Sequence, residues 1–116
     1  MKLRVQFAHG LESNPQGSKA RELRRHFELA CPEMDTRDFE ACVKVHAATI
    51  AREKPDVLVG SSFGGAVALA LLERGMWRGP TLLLAPAHRY FSSAETLPAD
   101  VPIWIVHGTC TTSFIT

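Results

Sequence analysis

Asp56-Val57-Leu58-Val59-Gly60-Ser61-Ser62-Phe63-Gly64-Gly65 is the stretch that decides the fold. Its opening, Asp56 to Val59, is a compact apolar run without alternation, the pattern of a central strand buried on both faces. From Gly64 to Arg74 the chain is built almost wholly of Gly, Ala, Val and Leu, and Gly75 suits the C-terminal cap of a helix there. A helix that apolar on every side belongs deep in a fold, with its small residues close to a sheet. Between strand and helix, Gly60-Ser61-Ser62-Phe63-Gly64 fits Gly-x-Ser-x-Gly. Any Gly-Ser-rich loop can produce that pattern. At a strand-to-helix junction it marks a sharp turn that lifts the central serine above the sheet. Ser62 holds the central position and Ser61 only the first variable one.

Working outward, the chain keeps alternating short apolar runs with helical patterns, which predicts a parallel sheet with crossover helices. Leu3 to Ala8 reads as a strand stopping at His9-Gly10, followed by a polar loop, Glu12 to Gly17, full of turn formers. Ser18 reads as an N-cap, and Ala20, Leu23, Phe27 and Ala30 recur behind it at helical spacing, with Pro32 just beyond. Thr36 to Glu40 is a weak candidate for a short or edge strand. Val43, Ala47, Ile50 and Ala51 mark a second helix ending near Lys54-Pro55. Thr81 to Ala85, closed by Pro86, and Pro102 to Val106, closed by His107-Gly108, complete five expected strands. The expectation is one α/β domain, a three-layer α/β/α sandwich on a mostly parallel sheet. Ligands of such sheets bind at the carboxyl ends of the strands, and three of the five end in His9-Gly10, Gly60-Ser61-Ser62 and His107-Gly108.

Composition removes several classes of function. The 116 residues are 46% hydrophobic and 22% charged, enough for a real core, and the net charge of +1 gives no field for nucleic acid or an anionic membrane. Arg24-Arg25 sits in an amphipathic pattern and reads as a solvated helix face. No run reaches the ~18 apolar residues of a membrane span, and the N-terminus does not read as a signal peptide. Cys31, Cys42 and Cys110 are odd in number and lack Cys-x-x-Cys spacing, so reduced thiols in a cytoplasmic protein are expected. The five histidines lack ligand spacing, and no metal or other cofactor is expected.

A serine that attacks a carbonyl needs donors for the oxyanion it creates. One is the Phe63 N–H, directly after Ser62. His9-Gly10-Leu11 is placed to supply the second, because Gly10 lets the backbone approach closely and the Leu11 N–H can point at the same site. A phosphate-cradling glycine loop is the rival reading. It would require an acidic residue ending the next strand, which instead closes Leu84-Ala85-Pro86, or a Gly-Lys-Ser/Thr sequence, which is missing.

At these residues the chain resembles the small, esterase-like α/β-hydrolases. His9-Gly10-Leu11-Glu12-Ser13-Asn14-Pro15, with Gly17-Ser18-Lys19-Ala20 behind it, looks like their first loop and helix, and Val59 to Gly65 like their nucleophile elbow. Leu83 to Ala87 and Val101 to Thr109 look like their next two strands, so the resemblance spans residues 3 to 109. It implies hydrolysis of an ester, thioester or similar acyl bond of a small-molecule substrate through an acyl-serine at Ser62. It also implies that His9 shapes the oxyanion loop and that His107 has no base role.

One departure matters. The family's catalytic Asp follows His-Gly-Thr almost at once, where this chain reads Cys110-Thr111-Thr112, and its general-base histidine comes later still. Residues 110–116 read as an aberrant tail from a shifted or interrupted frame, on a C-terminally truncated hydrolase domain. His88 is the one histidine available as a substitute base; His26 and His46 read as surface or packing residues, and Cys110 as inert. Loss of the base costs a triad enzyme on the order of 10⁶ in rate, so a poor or inactive esterase is expected. The alternatives are a catalytically dead binding protein and a remnant without function. The truncated domain is further expected to leave apolar sheet surface near the fifth strand uncovered, favouring self-association.

Overall fold

The computed structural model describes residues 3–10, 17–84, 100–107 and 110–115, with backbone alone for residues 107 and 110–115. Its elements run β1 (Arg4–Ala8), α1 (Ser18–His26), β2 (Glu28–Ala30), α2 (Phe39–Glu53), β3 (Val57–Ser61), α3 (Phe63–Glu73), β4 (Thr81–Leu84), β5 (Pro102–His107) and β6 (Cys110–Ile115). The sheet order is β2-β1-β3-β4-β5-β6. The first five strands are mutually parallel, and β6 turns back antiparallel on β5, from His107 opposite Cys110 to Pro102 opposite Ile115. The chain is therefore an α/β protein.

Two apolar clusters place the helices on opposite faces. On one, Ala20 and Leu23 of α1 and Phe27 just after it pack with Val5, Phe7 and Val59. On the other, Cys42 and Val43 of α2 and the body of α3 pack with Ala8, Leu58, Leu83, Ile103 and Ile105. Ten consecutive residues of α3, Phe63 to Leu72, are buried, as the uniformly apolar sequence required. Leu82, Leu84, Trp104 and Val106, on the α1 side of β4 and β5, are only partly buried.

Three expectations are corrected. The helical spacing read through Ala30 stops at His26: Phe27 is already extended (φ −136°, ψ 162°), and Glu28–Ala30 form β2 against Arg4–Gln6. Phe27 and Leu29 keep facing the same cluster as Ala20 and Leu23, so the apolar positions satisfied both periodicities. Gly17, not Ser18, caps that helix, without a side-chain bond. Nor is Thr36 to Glu40 a strand. It contains a turn and the start of α2, where the Asp38 carboxylate accepts the Ala41 N–H at 3.0 Å.

That bond satisfies one of the orphan donors at the helix start. Asp38→Ala is expected to cost about 1 kcal/mol, and Asp38→Asn much less. Thermal melts of the two variants at neutral pH check the difference. At the other end Lys54 adopts a left-handed conformation (φ 49°) and its N–H bonds the Ile50 carbonyl, closing the helix before Pro55.

Candidate active site

The strand order reverses at β1: the chain passes outward to β2 and then crosses to β3 on the other side. In an open parallel sheet the crevice above that switch point is the natural ligand site. The carboxyl ends of β1 and β3, where His9-Gly10 and Ser61-Ser62 lie, are neighbours there, with Ala8 paired to Gly60.

Ser62 is the single residue between β3 and α3, with φ 53° and ψ −116°. That is a left-handed backbone conformation which side chains rarely adopt, at a cost of roughly 1–3 kcal/mol. Hydrogen bonds hold it there: its N–H donates to the Leu84 carbonyl at 3.0 Å, and its own carbonyl accepts from Gly65 N–H at 2.9 Å. Ser62 is exposed, whereas Ser61 and Phe63 on either side are buried. The turn therefore presents Ser62, and not Ser61, at the surface.

The two framing glycines are required sterically. A Cβ on Gly60 would come within 2.5 Å of the Gly64 carbonyl oxygen and 2.9 Å of the Gly65 Cα. A Cβ on Gly64 would overlap the Ala8 carbonyl and lie 2.8 Å from the His9 oxygen. Gly64 thus lets the first turn of α3 rest on the end of β1. On the loop side, a Cβ on Gly10 would sit 3.4 Å from both the Ser62 Cβ and the Ser61 carbonyl oxygen. Gly10 and Ser62 are brought together from positions 52 residues apart, as the sequence reading required.

Phe63 opens α3, and its N–H belongs to the first turn, where a helix offers no internal acceptor. The buried Phe63 ring stands edge-to-face on Phe39 of α2, centroids 5.8 Å apart at 89°, which fixes this corner. Leu11 and His88 lie outside the described residues, as does Gly108. His26 is exposed on α1 within 3.4 Å of Glu22. Cys31 and Cys42 are free thiols; burial raises the Cys31 pKa to about 11, which makes it a poor nucleophile. Among the described residues no histidine or carboxylate bonds to the Ser62 hydroxyl, and no group of acidic, His or Cys side chains is gathered to hold a metal.

Sequence reasoning missed a buried polar group beneath this corner. Gln6, fully buried in the middle of β1, donates through Nε2 to His46 Nδ1 at 2.8 Å and to the His46 carbonyl at 3.1 Å. A glutamine between Val5 and Phe7 in an apolar strand was the available signal. His9 is equally buried, and its Nδ1 lies 2.9 Å from the Gly10 carbonyl oxygen. A carbonyl only accepts, so that nitrogen carries the proton and the ring braces the loop beside Ser62.

Burial, with a further contribution from His9, pulls the His46 pKa down from 6.5 to about 4. The unfolded chain therefore binds more protons than the folded one between those values. The stability this group contributes is present above pH 6.5 and is lost as pH falls toward 4, by about 3 kcal/mol in all. Urea melts at pH 7 and pH 4.5 check this, and His46→Gln should flatten the part of the profile due to this side chain.

No family model matches the chain, and no curated protein or solved structure matches it either. Among the described residues no helix is long and apolar enough to cross a membrane.

Proposed function

We propose that the chain is a serine hydrolase of the α/β-hydrolase type, acting on an ester, thioester or similar acyl bond of a small molecule through Ser62. The observation that carries this reading is the strained, exposed Ser62 at the strand-to-helix turn, framed by Gly60 and Gly64 and facing Gly10. A backbone cost of that kind persists where the position of the side chain matters. Ser62 Oγ adds to the acyl carbon, the bond to the leaving group breaks, and the serine proton ends on that group. Water then adds to the acyl-serine and releases the acid, restoring the hydroxyl. The Phe63 N–H, and the Leu11 N–H that the resemblance implies, stabilise the oxyanion in both steps.

A second reading has its own support. Since no described base bonds Ser62, the same crevice fits a protein that binds an acyl compound without turning it over. A fluorophosphonate probe separates the two. The purified chain should gain one adduct by intact mass, the Ser62→Ala variant none, and ester turnover should be slow. A folded chain that takes no label overturns the hydrolase reading and leaves the binding one.

A further inference from the structure

The two edges of the sheet differ in how they meet solvent. Among the described residues β2 and β6 each have a single neighbouring strand. Every second residue of an edge strand directs its N–H and C=O away from that neighbour, where another strand can pair with them. β2 is protected in two ways: it is only Glu28–Ala30, and the exposed Glu28 carboxylate at its start lies 3.5 Å from the Arg4 guanidinium. A short strand that carries charge is a poor template. β6 runs from Cys110 to Ile115 and pairs with β5 over its whole length. Its sequence, Cys-Thr-Thr-Ser-Phe-Ile, holds no charge, no proline and no glycine. Thr111, Thr112, Phe114 and Ile115 are β-branched or aromatic, the types that sheets favour. The sequence of β6 thus lacks every device that blunts a sheet edge.

We propose that β6 is a dimer edge, at which the β6 strands of two copies of this chain pair antiparallel about a two-fold axis and one sheet continues through both. The occupant follows from charge and symmetry. An antiparallel strand that meets its own copy sets its middle residues, here Thr112 and Ser113, beside their own counterparts, where a charge would face its like. β6 carries none, so it is compatible with itself. For the same reason it offers nothing by which an acidic or basic peptide could be selected. Backbone hydrogen bonds between the two β6 strands supply the affinity, as in other strand additions to an open edge. Six paired residues bury less than the ~1,200 Å² of a tight interface, so the dimer is expected to dissociate on dilution. The inference does not rest on the hydrolase reading, since β4 and β5 separate β6 from the turn at Ser62.

Sedimentation of the full chain over a wide range of concentration, with hydrogen exchange measured at both ends of that range, tests this without any assay of activity. The expected result is a monomer–dimer equilibrium. In it the amides of residues 110–115 exchange more slowly at the high concentration, and those of Glu28–Ala30 do not change. Ser113→Lys should weaken the dimer by about tenfold or more, because it brings two ammonium groups together at the axis. The register sets position 113 opposite Trp104, on the face where Trp104 is only partly buried, so the monomer tolerates a lysine there. A chain that stays monomeric throughout overturns the proposal. So does a dimer whose β6 amides are no better protected than the monomer's, which would put the contact elsewhere. Open-ended growth overturns it as well, since that is the mark of β6 pairing with β2 of the next copy. Should Ser113→Lys fail to fold, the exchange pattern of the unaltered chain decides.

Discussion

Gly64→Ala is expected to lower stability by about 4 kcal/mol or more, the upper end of what one methyl group does in a packed interior. The new Cβ would overlap the Ala8 carbonyl and crowd the His9 oxygen, and neither obstacle is a side chain that can rotate away. Relief requires α3 to move off β1, and α3 is buried along ten residues between the sheet and α2. For a domain of this size that loss corresponds to a fall in melting temperature on the order of 15 °C. Gly75→Ala is the matched control. It has open space around it but a φ of +70°, so it should cost only about 1 kcal/mol through backbone strain. Thermal melts of the pair separate steric exclusion from conformational preference. A Gly64→Ala chain as stable as the parent would refute the close approach of elbow and first strand on which the crevice depends.

Ser62→Gly should make the protein more stable while removing its chemistry. At φ 53° and ψ −116° a serine is strained and a glycine is not, so the substitution relieves about 1–3 kcal/mol. Greater freedom of glycine in the unfolded chain returns roughly 0.5–1 kcal/mol of this, leaving a net gain near 1 kcal/mol. Ser62→Ala keeps the strain and should melt close to the parent. Both substitutions remove the hydroxyl, so both should abolish probe labelling and any turnover that passes through an acyl-serine at position 62. Melting curves and intact mass on the three proteins read out the two effects together. A Ser62→Gly chain that is less stable than Ser62→Ala would mean that the turn does not store strain, and the main support for a nucleophile there would be gone.

The central architecture was legible because its signals were redundant. Val57 to Val59 had to be a buried strand and Gly64 to Leu72 a buried helix on composition alone, and the Gly-x-Ser-x-Gly between them fitted no other junction as well. Glu28–Ala30 was not legible, since three residues continuing an apolar spacing cannot declare which period they follow until Arg4–Gln6 pairs with them. Asp38 misled in the same region: charges there suggested an edge strand, whereas the carboxylate caps a helix. Residues 110–115 were read only as a tail; the backbone places them as a strand against β5. At the site, the approach of Gly10 to Ser62 followed from the motifs, because both lie at strand ends. The Gln6–His46 bond did not, since a residue of β1 and one of α2 meet only through the packing of that helix on the sheet, which no local pattern encodes.

The position of β1 sets the order in which the molecule can assemble. Both neighbours of this strand are synthesised after it, and the Val5 to Val57 pairing closes a loop of about fifty residues. A growing chain that has reached Ala30 possesses β1, α1 and β2, with only three residues in register between the two strands, and a strand pair that short does not hold itself together in water. Val5 and Phe7 can by then meet Ala20, Leu23 and Phe27, but the other edge of β1 stays unpaired until β3 emerges. Folding on these terms is late and all at once, and the first strand made is exposed to pairing with a neighbouring nascent chain for longer than any other.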